Sequence, residues 1–362
     1  MVLEIFWDGD IDNIFLWWKN HMGFYIVGRF DDREKALDLH EKGIDLCELE
    51  RYEEAIECFD AAIRLDPRLS DAWNNKGMSL HGLERYEEAI ECFDAAIRLD
   101  PRLSDAWQWK GMALNQLERY EEAIECFDAA IRLDPRLSDA WQWKGMSLHG
   151  LERYEEAIAC YDEVIRLDSE ISESWQWKGM ALKELNRNEE SMACFDKDIR
   201  MNPKNQYSWH DKGVVLYRLE RYDESIAYHD KAIMIEPEFS DAWNSKGMAL
   251  NQLERYEEAI ACYDETIGLD PKNQYSWHNK GIALDELERY DEAIACYDEV
   301  IRLDPKEADA WIEKGNSLAN LERYDESIAC YDKAIACHDE VNWLDPDHDV
   351  DGGGSLDGYG IS

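Results

Sequence analysis

The chain has 362 residues, with 39 Lys and Arg against 81 Asp and Glu, and a formal net charge of −42. A field of that sign repels phosphate backbones and anionic lipid, which argues against nucleic acid and acidic membranes and leaves basic or neutral protein segments as partners. Hydrophobic residues make up 45%, enough for a continuous core, yet no apolar run approaches the roughly 18 residues of a membrane span.

Residues 1–35 are rich in Trp, Phe and Ile, most densely from Ile14 to Trp18. They lack the basic start of a secretory signal, so the expected compartment is the cytoplasm. The segment reads as a cap on the region that starts at residue 36, with a membrane-surface contact as the alternative.

From residue 36 a strict register begins. Gly43, Gly77, Gly111, Gly145, Gly179, Gly213, Gly247, Gly281 and Gly315 stand 34 residues apart without a slip. A period between 20 and 50 residues marks a stacked-repeat architecture, in which each unit buries its apolar face against its neighbours. In the unit 70–103, Ser70 is placed to cap a first helix from Asp71 to Leu83. Trp73, Gly77 and Leu80 fall on one face of it. A glycine inside a helix costs about 1 kcal/mol relative to alanine, so its recurrence requires a packing reason: close approach of a second helix. That helix spans Tyr86 to Leu99, with Tyr86, Ala89, Ile90, Phe93, Ala96 and Ile97 inward. Glu87 and Glu88 suit its positive end, and Asp100-Pro101 stops it. Eight of ten cysteines share one repeat position (Cys58, Cys92, Cys126, Cys160, Cys194, Cys262, Cys296, Cys330). Equivalent helices lie roughly 8–10 Å apart, too far for the about 7 Å Cα limit of a disulfide. These are expected to be reduced core residues. No CxxC pairing suggests zinc.

The pattern of Trp107, Gly111, Ala123, Phe127, Ala130 and Pro135 at positions 4, 8, 20, 24, 27 and 32 of its unit resembles the tetratricopeptide repeat. The resemblance covers 36–341 and implies an all-α, right-handed solenoid of nine helix–turn–helix repeats, about one superhelical turn. It also implies a non-enzymatic, protein-binding role with no cofactor. One departure is systematic: position 7, often Leu in the family, is lysine from Lys42 through Lys314. The family builds its concave surface from first helices, and the helical wheel agrees that positions 2, 5, 6, 9, 12 and 13 face away from the second helix. The second helix carries the acid, as in Glu87, Glu88, Glu91 and Asp94, so the convex side is expected to be the acidic one.

Along that inner face, repeats three to five stand out. Position 6 is Trp109, Trp143 and Trp177, beside Gln108, Gln142 and Gln176 and beside Met112, Met146 and Met180. Asp105, Asp139 and Glu173 occupy position 2. An exposed aromatic–Met ladder would anchor a partner chain; the competing reading folds the indoles over the seam between repeats. Family members that hold a carboxylate terminus use Lys, Asn and Arg here, so the resemblance implies another ligand, an extended segment with basic and apolar residues. Repeats six and eight add Tyr207 with His210 and Tyr275 with His278, which places the expected site across repeats three to six.

Repeat five is irregular. Asn188 replaces Tyr, Ser191 and Asp198 replace Ala, and Ser169 replaces the turn proline. A buried, unpaired Asp198 costs several kcal/mol, of order 2–7, so 169–198 is expected to be a weak junction unless a basic neighbour pairs with it. His229, at the aromatic position of repeat six, reads as a core histidine. No acid, nucleophile and orienting group converge in any repeat, so catalysis has no support. After Ala334 the heptad Ile328–Ala334 is echoed by Ile335–Val341. Seven residues nearly preserve helical phase, so the last helix should run to about Trp343. In the tail 342–362, Asp347, Asp349, Asp351 and Gly352 resemble the opening of a calcium loop, but Gly358 stands where a bidentate Glu belongs. An acidic disordered tail is expected. Self-association through the end caps is the alternative to a groove-bound partner.

Overall fold

The computed structural model describes residues 32–343, so the aromatic N-terminal segment up to residue 31 and the calcium-like tail lie outside the described residues. Two compact units divide the chain, Met1–Glu190 and Ser191–Ser362.

In the first unit α1 (32–48) is followed by α2 (Tyr52–Leu65), α3 (Ser70–Gly82), α4 (Tyr86–Leu99), α5 (Ser104–Gln116), α6 (Tyr120–Leu133), α7 (Ser138–Gly150), α8 (Tyr154–Leu167) and α9 (Ser172–Glu184). The division between units falls inside α10 (Asn188–Met201). The second unit continues with α11 (Gln206–Arg218), α12 (Tyr222–Ile235), α13 (Ser240–Gln252), α14 (Tyr256–Leu269), α15 (Gln274–Glu286), α16 (Tyr290–Leu303), α17 (Ala308–Asn320) and α18 (Tyr324–Trp343). The described residues are thus all-α, with eighteen helices. The duplicated heptad lengthens α18 to 20 residues, against 14 in its counterparts.

Side-chain volume explains the glycine register. A Cβ added to Gly77 would sit 2.6 Å from Phe93 Cε1, and one on Gly111 2.6 Å from Phe127 Cε1. The ring at position 24 fills the space that the missing side chain leaves. Alanines at positions 3, 20 and 27, such as Ala106, Ala123 and Ala130, are wholly buried. The cysteines are free thiols, and the eight recurrent ones are buried. Burial pushes the Cys92, Cys126, Cys160, Cys262 and Cys296 thiols up to about 11, which keeps them unreactive.

The helix ends depart from expectation. Ser70 is the first residue of α3, not its cap; Leu69 holds the cap position and makes no side-chain bond. Asn205 and Asn273 do cap α11 and α15, through the amides of Tyr207 and Ser276. Each described first helix exits through a left-handed residue that is glutamate rather than glycine, with φ of 57–60°, except Asn186 at 56°. At α3 the amide of Arg85 donates to Leu80 O and that of Glu84 to His81 O, both at 2.9 Å, which is the Schellman closure.

Position 7 acquires its reason from the seam between repeats. In the first unit Lys76, Lys110, Lys144 and Lys178 reach Asp60, Asp94, Asp128 and Asp162 of the preceding second helix at 2.5–2.7 Å. The second unit repeats this with Lys212–Asp196, Lys246–Asp230, Lys280–Asp264 and Lys314–Asp298 at 2.5–2.7 Å. Asp94 is therefore a seam residue and not a free acid of the outer face. The lysine also lies over the position-4 indole, at 5.4–5.9 Å for Trp73, Trp141, Trp175, Trp243, Trp277 and Trp311. Within each unit neighbouring first helices touch, as in α3–α5–α7–α9 and α11–α13–α15–α17, whereas second helices do not touch one another. First helices form the inner layer.

Candidate partner-binding face

The first unit presents positions 2, 5, 6 and 9 of α5, α7 and α9 as three parallel rows. Asp105, Asp139 and Glu173 are exposed in the first turns. Gln108, Gln142, Gln176, Trp109, Trp143, Trp177, Met112, Met146 and Met180 are half-buried. The indoles are neither open rungs nor wholly folded away. Trp109 meets the His81 ring edge-on at 5.3 Å, and Trp177 meets His149 at 5.6 Å, so each leans on position 12 of the preceding first helix. Trp109 and Trp143 pack against a buried core that runs from Leu80 of α3 to Ala140 of α7. One edge of each indole is thereby fixed, and the other stays accessible. Polar bonds tie the same rows together: Ser174 Oγ donates to Gln142 Oε1 at 2.7 Å, and Asn115 Nδ2 donates to Ser147 Oγ at 2.7 Å. Trp177 Nε1 donates to Glu173 Oε1 at 3.4 Å.

His81 and His149 were not singled out by sequence reasoning. Burial lowers both imidazole pKa values from the ordinary histidine range, and His81 Nε2 and His149 Nδ1 have no hydrogen-bond partner. Neutral rings can support indoles without bringing a charge to the face. The signal was present in the words His81-Gly82 and His149-Gly150, which alternate with Asn115-Gln116. Gly150 admits Tyr120, whose Cζ would lie 2.9 Å from an added Cβ.

In the second unit Tyr207 and His210 meet through Phe239, a residue that the repeat pattern does not flag. Phe239 contacts Tyr207 at 5.4 Å and His210 at 5.1 Å, and His210 lies 5.1 Å from the buried His229. Tyr275 is exposed, while His278 packs on Tyr297 at 5.8 Å. His229 is fully buried, and neither ring nitrogen has a partner. Burial, helped by His210 and Lys246, holds its pKa well below 6.5.

Elsewhere in the first unit a cavity of 400 Å³ lies beside Trp73, Lys76 and Leu80, walled by Glu88, Glu91 and Asp94. Two of those three acids already have cationic partners, Glu88 with Arg85 and Asp94 with Lys110.

A tetratricopeptide repeat family model matches residues 40–104, 82–138, 110–170 and 278–340. Two further tetratricopeptide repeat models match 240–273 and, for the other, 172–205 and 207–239. No curated protein matches in sequence. Among solved structures the chain is similar to one in the APC/C hetero-tetramer Cut9–Hcn1, with 17% identity and a TM-score of 0.55 over 77% of this chain and 55% of that one. It thus spans about half of that chain. A tetratricopeptide repeat protein from Parabacteroides merdae matches at 14% identity and TM-score 0.54, over 69% of this chain and 99% of that one. YrrB, described as a TPR protein with an unusual peptide-binding site, matches at 24% identity and TM-score 0.47, over 53% and 98%. At these identities the likeness concerns fold alone.

Proposed function

Because the chain belongs to the tetratricopeptide repeat family, a family of protein–protein interaction scaffolds, we propose that it binds an extended segment of a partner protein along the α5–α7–α9 face. The carrying observation is the recurrence of one half-buried indole per repeat, Trp109, Trp143 and Trp177, with Met beside it and an exposed acid one turn away. Neighbouring helices lie roughly 8–10 Å apart, about three residues of an extended chain at some 3.3 Å each. The partner segment therefore offers an apolar residue to each indole at about every third position. Lys or Arg between them meets Asp105, Asp139 and Glu173.

Preorganisation makes this surface effective, since Trp109 and Trp177, already packed on His81 and His149, lose little freedom on binding. The role is non-enzymatic and needs no cofactor. Its setting is the cytoplasm, consistent with free thiols at all ten cysteines; no described helix is long and apolar enough to cross a membrane.

Affinity capture with mass spectrometry, followed by titration of the captured segment, tests the reading. Replacing Trp109, Trp143 and Trp177 together by Ala should weaken binding at least tenfold while circular dichroism shows the helical content unchanged. Undiminished capture by the triple variant would remove this face from the account.

A further inference from the structure

The second unit shows three times what covers the outer face of a second helix. Faces of α12, α14 and α16 are closed by α13, α15 and α17, and each closing helix uses the same three positions. Position 3 is Ala242, Ser276 or Ala310, position 10 is Ala249, Ala283 or Ser317, and all six are wholly buried. Position 7 is Lys246, Lys280 or Lys314, paired with Asp230, Asp264 or Asp298. Small residues let the helices approach, and the lysine fixes the register.

On α18 the same face is present and, among the described residues, uncovered. Ile294 of α16 is 9% exposed, whereas its counterpart Ile328 is 57% exposed, and Tyr324 and Ile335 beside it are 61% and 58% exposed. Asp332 stands where Asp298 receives Lys314, and no described cation is paired with it. Tyr324, Ile328 and Ile335 form a continuous stripe at i, i+4 and i+11.

We propose that this face of α18 docks an amphipathic helix of a partner protein that carries a small residue, a lysine four positions later and a second small residue three beyond that. The helix would lie on the Tyr324–Ile328–Ile335 stripe, with its lysine on Asp332. This occupant is argued from continuity with the α16–α17 interface, one repeat earlier in the same unit. A second copy of the chain fits poorly. Its first helix, α1, carries Asp38 and Asp45 at the two small-residue positions, and stacking would bury both carboxylates against apolar side chains. The inference stands apart from the reading of the α5–α7–α9 face and uses none of its residues.

A fluorescently labelled peptide with the sequence of residues 306–321, titrated into the full-length chain, probes the site by anisotropy. Saturable binding is expected, weakened at least tenfold by Ile328→Glu. Asp332→Lys should weaken it severalfold, and a peptide carrying Lys314→Asp should restore that loss. Because Ile328 and Asp332 are exposed, neither change threatens folding. Absence of saturable binding, or binding indifferent to Ile328→Glu, would overturn the proposal. So would a doubled mass in light scattering that Ile328→Glu abolishes, since a second copy then holds the face. Binding that appears only after removal of residues 344–362 would assign the face to the chain's own tail and equally overturn it.

Discussion

A single methyl group probes the packing most economically. Gly111→Ala gains about 1 kcal/mol of intrinsic helix propensity but thrusts a carbon to 2.6 Å from the buried Phe127 ring. Overpacking of this kind costs about 1–3 kcal/mol, so the thermal midpoint should fall; a rise would show that the ring can yield. His229 gives the converse case. It occupies a Phe or Tyr position with two unpartnered ring nitrogens, and His229→Phe should add about 1–3 kcal/mol. The pH dependence takes its sign from the depressed pKa. Between the folded value and the ordinary 6.5 the unfolded chain binds the extra proton, so stability is full above about 6.5 and declines as pH falls below it. The advantage of His229→Phe should therefore widen from pH 7 to pH 5 in denaturant melts. Equal slopes for the two proteins would refute the assignment. Residue chemistry was only partly legible in advance. Gly111 announced a close approach because a helix has no other use for it, whereas the Lys110–Asp94 pair needs the stacking of repeats before a 16-residue separation becomes a contact. Glu at the left-handed exits was hidden too, since that conformation ordinarily selects glycine.

At the scale of elements, repeat five separates expectation from outcome. Asp198 is wholly buried, but it accepts a hydrogen bond from Asn205 Nδ2 at 2.7 Å. The lost proline has the clearer consequence. In seven repeats the position-4 indole donates to the carbonyl of the turn proline, from Trp73 to Pro67 through Trp311 to Pro305, at 3.0–3.4 Å. Trp175 Nε1 is buried without a partner where Ser169 replaces that proline. Ser169→Pro should stabilise the chain by about 0.4–1 kcal/mol through the unfolded state and slow amide exchange in α9. Within the wild type, α10 amides should exchange before those of α4 or α14, and strongest protection in α10 would contradict the weak-segment reading. Helix boundaries were read well from sequence because tyrosine starts and Asp-Pro stops recur, while caps were misplaced by one residue at Ser70. The Trp109–Trp143–Trp177 row was legible from its repetition, but the contacts of Trp109 with His81 and of Trp177 with His149, each across 28 residues, were not.

For the molecule as a whole, a charge of −42 is distributed unequally in kind. Exposed pairs such as Arg85–Glu88 contribute little because solvent screens them, whereas lysine–aspartate pairs recur at seams and set register in a one-dimensional array. Asp105, Asp139 and Glu173, which have no cationic partner among the described residues, then lie beside indoles, and that coincidence is the basis for proposing a basic, apolar partner segment. Hydrogen-exchange mass spectrometry of the chain with and without its captured partner segment addresses this directly. The account predicts new protection in α5, α7 and α9, centred on residues 105–112, 139–146 and 173–180, with α4, α6 and α8 unchanged. Protection confined to α4, α6 and α8, with the indole rows unaffected, would contradict it.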